Sequence, residues 1–391
     1  MRRCGLLILV ALTSLAFAQT SFAEEKPAPP ENDPLYMRVV AMPYPPEAQI
    51  LDGAGHRHSA YELYVTNFGR TPLKITKLDV IGKDDKTVVV NQSASGKQLA
   101  AMFVPASGND AYKPNEPSLK PGDTGIFFIF ADWLPDQGDP DNFNTAITIE
   151  QHGERSGSGT IQASAIDLNQ DDPIVIHSPL QGKNWLAANG PSNTSAHRRA
   201  MLPVNGLPHI GQRYAIDWIQ LGDDGKTFTG DEHDNKSYHA WDQEIHAVAD
   251  GKIVEVKDGI PENVPNSGKL AVPMTYDTLA GNHVIEQLNE DHYAAYAHLR
   301  PGTIKVKVGD TVHAGDVLAH LGNTGNSSEP HLHFQVCDAP SFPASEGLPF
   351  AIDQYTYDDY KLDKAPKPAL TVKSSHPMTK QEPMEDELDS F

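Results

Sequence analysis

Gly322-Asn323-Thr324-Gly325-Asn326, followed shortly by His331-Leu332-His333-Phe334, decides how the second half of this chain is read. The first five residues form a glycine-bearing turn, and the last four read as a strand. In a strand, side chains two apart point the same way. Both imidazoles then face one side, with Leu332 and Phe334 on the other. Two histidines aimed at one point suit a metal, or one ligand beside one proton-transfer group. An isolated His-x-His more often marks two surface histidines on an edge strand, so the flanking sequence has to carry the reading.

Outward from this stretch the pattern is strands and turns. Strands are expected near 214–221, 244–256, 283–288, 292–299, 311–321 and 331–336. Tyr214-Ala215-Ile216-Asp217-Trp218 places an acid in an apolar strand, and Val248-Ala249-Asp250-Gly251-Lys252-Ile253-Val254 reads as a hairpin. Tyr296-Ala297-His298-Leu299 puts another histidine in a strand. Val306 to Ala319, with Gly309 and Gly315, leads into the His-x-His stretch. Two insertions, 222–243 and 258–281, are long enough to be walls or lids of a groove.

Taken in order, these elements resemble the catalytic domain of the lysostaphin-type (LytM-type) zinc metallopeptidases, endopeptidases of bacterial cell-wall peptides. The resemblance covers roughly 213–336. It implies a small antiparallel β barrel-sandwich hybrid, the duplicated hybrid motif, with an open groove. The family's metal site uses a His-x-x-x-Asp pair and the second histidine of His-x-His. The resemblance therefore puts Asp217 and His333 on two of three zinc positions. It puts His298 and His331 on the two non-ligand catalytic positions. A catalytic zinc needs three protein ligands and one open position, and it makes a nucleophile of water near neutral pH. A neighbouring imidazole can shuttle protons or steady an oxyanion.

The chain departs from the family at one position. Four residues before Asp217, where the family has histidine, stands Arg213. A guanidinium stays protonated and offers no lone pair. Strand alternation puts 213, 215 and 217 on one face, so Arg213 is expected to point at the site, where with no metal bound it can pair with Asp217 and fill the place. Another group can then complete the metal set. His209 is the candidate by nearness in sequence; His233, His239 and His246 lie in or beside the first insertion.

The first half reads differently. Tyr61, Leu63 and Val65 alternate with Glu62, Tyr64 and Thr66, and further strands are expected at 73–81, 125–131, 145–150 and 160–166. Short strands with turn punctuation point to a β-sandwich-like domain. It carries no cluster of His, Cys or acids that reads as a site, so its expected role is structural or partner-binding. The whole chain is thus expected to be all-β. The expected divisions are a signal peptide at 1–23, a linker at 24–34, the sandwich-like domain at 35–166, a connector at 167–212, the peptidase-like domain at 213–340 and a C-terminal extension at 341–391, disordered from about 361. Within the connector, His197-Arg198-Arg199 reads as a solvated or locally paired basic patch.

Met1-Arg2-Arg3-Cys4 followed by an apolar run to about Phe17 has the form of a secretory signal, too short to span a bilayer. Removal of 1–23, which holds two arginines and no acid, takes the net charge from −21 to −23. Such a surface repels nucleic acids and anionic membranes. Cys4 and Cys337 are the only cysteines, so the mature chain has no internal disulfide. The expected protein is an exported, periplasmic or extracellular endopeptidase that binds one zinc and acts on peptidoglycan peptides, with no membrane span. The sandwich would meet a cell-wall hydrolase or other envelope protein. The alternative is a non-enzymatic relative that binds wall peptides or regulates another hydrolase. A lipoyl- or biotinyl-type carrier, which shares the barrel-sandwich hybrid, needs a lysine at the hairpin tip, where this chain has Asp250-Gly251 with Lys252 past the turn.

Overall fold

A computed structural model describes residues 38–84, 87–106, 117–151, 156–363 and 369–391. The expected signal peptide and linker lie outside the described residues. Among these residues the structure is almost entirely β, with one seven-residue α-helix, Gly96–Met102.

The first half forms two facing sheets. In one, His56–Asn67 pairs with Thr124–Trp133, with Ala60 opposite Phe130 and Glu62 opposite Phe128. In the other, Leu73–Asp84 pairs with Asn142–Gln151. Tyr61, Leu63 and Val65 from the first sheet meet Leu78, Val80, Ile147 and Ile149 from the second in one core. Side chains alternate across a strand, so Ala60, Glu62 and Tyr64 face the other way. That outer face is covered by the second half. Leu51 and Ala60 pack with Tyr214, and Ile126 and Phe128 pack with Ile210.

The second half is built on one twelve-stranded sheet. Its middle runs Trp185–Ala188, Ile216–Gln220, Leu332–Cys337, Tyr293–Leu299, Asn282–Gln287 and Gly251–Lys257. Leu332 and Phe334 point into its main core with Trp218, Tyr296 and Leu299.

Two expectations need correction. Part of the connector is strand: Trp185–Ala188 pairs with Ile216–Gln220, setting Ala188 beside Asp217. The segment beyond 361 is ordered where it is described. Phe350–Asp363 and Ala369–Gln381 form a long hairpin, and Leu388–Ser390 inserts beside Trp185–Ala188. Its acids made this segment read as solvent-seeking. Glu382, Glu387 and Asp389 are instead buried, and burial pushes all three carboxyls up toward the neutral form.

Candidate metal centre

Asp217 and His333 stand directly opposite each other on adjacent antiparallel strands. Their side chains share a face, and His333 Nδ1 lies 2.9 Å from Asp217 Oδ1. His331, just before the strand, brings Nε2 to 3.4 Å from the same oxygen. The outer nitrogen of each histidine is held from behind. His333 Nε2 is 2.9 Å from Gln335 Oε1, and His331 Nδ1 is 2.8 Å from the Glu329 carbonyl.

The third partner comes from a segment that reads as a basic patch. His197 opens a short 3₁₀ turn, His197–Arg199, and its Nε2 is 3.2 Å from Asp217 Oδ2. Its Nδ1 faces the Ala215 carbonyl at 3.1 Å, and its ring meets that of His333 with centroids 4.8 Å apart. None of the three residues in the patch is a solvated surface group: His197 and Arg198 are buried and Arg199 is half-buried. The ligand atoms of His197, Asp217 and His333 lie within 4.8 Å of one another.

The other sequence candidates are elsewhere. His209 Nδ1 is 3.3 Å from Glu346 Oε1, away from the three. His233 contacts the Pro265 carbonyl, His239 the Thr229 hydroxyl and His246 the Gly315 carbonyl. Arg213 does not pair with Asp217. It donates from Nη2 to Glu62 at 2.7 Å and from Nη1 to Glu346 at 2.8 Å. Strand alternation does not reach Arg213, because residues 211–214 are a turn, closed by Arg213 N–H to Ile210 O and Ala215 N–H to Gln212 O. The strand begins only at Ile216. Two strong ion pairs on the far side then hold the guanidinium protonated and push its pKa up despite burial.

His298 reaches the site through a backbone irregularity. Asn282 pairs with Leu299 and Val284 with Tyr296, so Ala297 and His298 together oppose the single residue His283. This is a β-bulge. Tyr296 and Leu299 both enter the main core, while Ala297 lies in the small cluster with Phe342, and His298 faces the groove. His298 adopts φ of +64°, a left-handed conformation costly for a residue with a Cβ. Its Nδ1 is 2.7 Å from the Thr324 carbonyl. That carbonyl is set by Gly325, also left-handed, which packs against the backbone of Gly281 too closely for any side chain.

The electrostatics separate the groups. Burial disfavours the Asp217 carboxylate, but His197 and His331 outweigh it and hold its pKa well below the usual range. Burial disfavours charge on His331 and His197 as well, yet Asp217 pushes both up. Burial, together with His331 and His333, drives His298 well down, so its imidazole is neutral. Burial also lowers His333. Two neighbouring imidazoles, centroids 4.7 Å apart, are thus pushed in opposite directions.

The donor set fits a divalent metal such as zinc. The outer nitrogens of His197 and His333 face only acceptors, a carbonyl and an amide oxygen, so each binds there as an N–H donor. Once neutral, both imidazoles turn their inner lone pairs toward the Asp217 carboxylate, and the positive charge this buried set requires comes either from the proton that Asp217 favours on His197 or from a bound metal. Two imidazoles and one carboxylate are a known protein ligand set for catalytic zinc. A cavity of about 340 Å³ opens over these residues, lined also by Asn189, His298, His331 and Phe342. Asn189 donates to Asp217 Oδ2 at 2.9 Å. His197, Asn189 and the bulge at His298 escaped the sequence reading; only the missing third ligand hinted at the first.

Residues 236–341 match the model of Peptidase family M23, a family of zinc metallopeptidases, and the chain carries a peptidase family M23 domain. The matched stretch begins after His197, Arg213 and Asp217, the part where this chain departs from the pattern. Lysostaphin from Staphylococcus staphylolyticus is 36% identical over 96 residues, 24% of this chain and 19% of that protein. Peptidoglycan DD-endopeptidase ShyA from Vibrio cholerae serotype O1 is 28% identical over 198 residues, 50% of this chain and 40% of that protein. The chain therefore spans less than two thirds of the length of either relative. The catalytic domain of lysostaphin from Staphylococcus simulans aligns with 43% of this chain and 88% of its own, at 24% identity and a TM-score of 0.23. Among the described residues, no helix is long and apolar enough to cross a membrane.

Proposed function

We propose that this protein is an exported zinc metalloendopeptidase that hydrolyses peptide bonds of cell-wall peptidoglycan. His197, Asp217 and His333 would hold the metal. The observation that carries this reading is the convergence of those three side chains beneath an open cavity walled by His298 and His331. Zinc bound there would supply Lewis acidity and lower the pKa of water to about 7.

This chain's own residues supply the rest. Asn189 and the backbone carbonyls behind His197 and His331 fix the orientations of the site. The neutral His298 is suited to accept a proton, and His331, whose pKa Asp217 pushes up, is suited to donate to an oxyanion or leaving amine. The domain match and its peptidoglycan-cleaving relatives support the substrate class. The signal-like start supports export to the periplasm or exterior. Arg213 favours a non-enzymatic relative that binds wall peptides or regulates another hydrolase; the approach of His197 to Asp217 and His333 supports the enzyme.

The test is metal analysis of the purified chain together with digestion of isolated peptidoglycan, the released peptides identified by mass spectrometry. Stoichiometric zinc and new amino termini are expected. Protein without zinc after incubation in excess metal, and no cleavage, would overturn the reading.

A further inference from the structure

We propose that Glu62 of the N-terminal sandwich is a positioning residue for the metal centre, holding His197 in place through Arg198; this rests on the reading of His197 as a ligand. The three residues of the 3₁₀ turn divide their work. His197 enters the cluster with Asp217 and His333. Arg198 turns the other way, donating from Nη1 to Glu62 Oε1 at 2.6 Å and from Nη2 to the Ile129 carbonyl at 3.0 Å. Arg199 lays its guanidinium 4.0 Å over the Phe128 ring and donates to the carbonyls of Ala101 and Asn193. Side chains about 120° apart on a 3₁₀ turn make this division geometrically natural.

A single turn cannot hold its own conformation in water. Its placement comes from what it touches, and both arginines touch the outer face of the sandwich sheet. Glu62 lies on that face, and its side chain and that of Arg198 are fully buried. The other carboxylate oxygen of Glu62 accepts from Arg213 at 2.7 Å. One carboxylate thus grips the turn that bears His197 and also the residue standing at the family's missing ligand position. A planar guanidinium with several fixed donors suits such an anchor better than any flexible ammonium. Charges within this buried group balance, with Glu62 and Glu346 against Arg198 and Arg213. In this chain the turn that bears His197 is anchored on the sandwich sheet through Arg198 and Arg199.

The test uses the full chain and reads metal affinity by competition with a chromogenic chelator, with the visible absorption of the cobalt-loaded protein as a report of coordination. Thermal unfolding of the metal-free protein is followed alongside. Arg198→Met and Glu62→Gln are expected to weaken zinc binding by about ten- to a hundredfold, as loss of an outer-shell support does, and to alter the cobalt spectrum. Arg199→Met, which breaks no buried ion pair and so keeps the fold if Glu62→Gln does not, should give a smaller loss in the same direction. Leu51→Ala, which weakens the apolar contact of the same interface, should leave zinc affinity unchanged. If Leu51→Ala lowers it as much as Arg198→Met, or if the arginine variants bind zinc as the wild type does, Glu62 is only domain glue and the proposal fails. A wild type that binds no zinc, or a His197→Ala variant that binds it normally, overturns instead the ligand reading beneath it.

Discussion

His197 Nε2 lies 3.2 Å from Asp217 Oδ2, although the two residues belong to different elements and His197 precedes the metal-site strand altogether. If this contact marks the third ligand, His197→Ala should lower zinc affinity by more than about 100-fold, beyond the usual effect of an outer-shell change. Asp217→Ala and His333→Ala should do the same. His209→Ala should stay within about twofold of wild type, because His209 faces Glu346 instead. Equilibrium dialysis against a buffered zinc series measures all four. Equal losses at positions 197 and 209 would sink the assignment.

Restoring the family's histidine at position 213 should not help. Arg213→His places an imidazole in a turn directed at Glu62 and Glu346, away from Asp217. It also strips the buried Glu62 and the half-buried Glu346 of a partner. Breaking a buried ion pair from one side costs about 3–5 kcal/mol. The variant should therefore unfold at distinctly lower denaturant, with no gain in zinc affinity. Tighter zinc binding in Arg213→His would mean that the turn can swing into the site, contrary to this geometry.

These two residues show where sequence is and is not enough. His333 and Asp217 are legible because each sits in a regular strand whose alternation sets its face, and a metal-site spacing survives that geometry. Arg213 is misread by the same rule, since the chain turns at 211–214 and alternation does not run backward through a turn. His197 is illegible for a different reason. Its turn owes its place to Glu62 and Phe128, more than sixty residues upstream, and no local pattern announces such a contact. The all-β architecture was readable throughout. The closing strands were not, because composition equates acids with solvent, and here Glu382 and Asp389 are buried.

The bulge at His298 makes a separable prediction. Replacing His298 with alanine or glycine removes the imidazole in both cases. Loss of a general acid–base group should reduce kcat by about 10²–10⁴ in either variant. The two should differ in stability. At φ of +64° alanine keeps the steric penalty of a Cβ and glycine does not. His298→Gly should be more stable than His298→Ala by about 1 kcal/mol, the reverse of the order expected in a regular strand. Urea titrations of the two variants decide it, and an alanine variant as stable as the glycine variant would show that the left-handed conformation is not kept.

Glu286 lies fully buried behind the sheet, with Tyr296 Oη donating to its Oε2 at 2.5 Å. Burial dominates that hydrogen bond and pushes the carboxyl from an ordinary 4.5 up to about 7. In the unfolded chain the group ionises near its ordinary value. Between the two values the folded protein holds the extra proton, so stability must fall as pH rises through this window. The loss is complete above the folded value and amounts to about 3 kcal/mol for this one group. Glu387, also raised to about 7 by burial, adds in the same direction. Glu286→Gln keeps an acceptor for Tyr296 and cannot ionise. Denaturant titrations should find it close to wild type near pH 4, more stable than wild type near pH 8, and with a shallower fall between them. A stability difference that is the same at both ends of that range would show that Glu286 does not titrate as its burial requires.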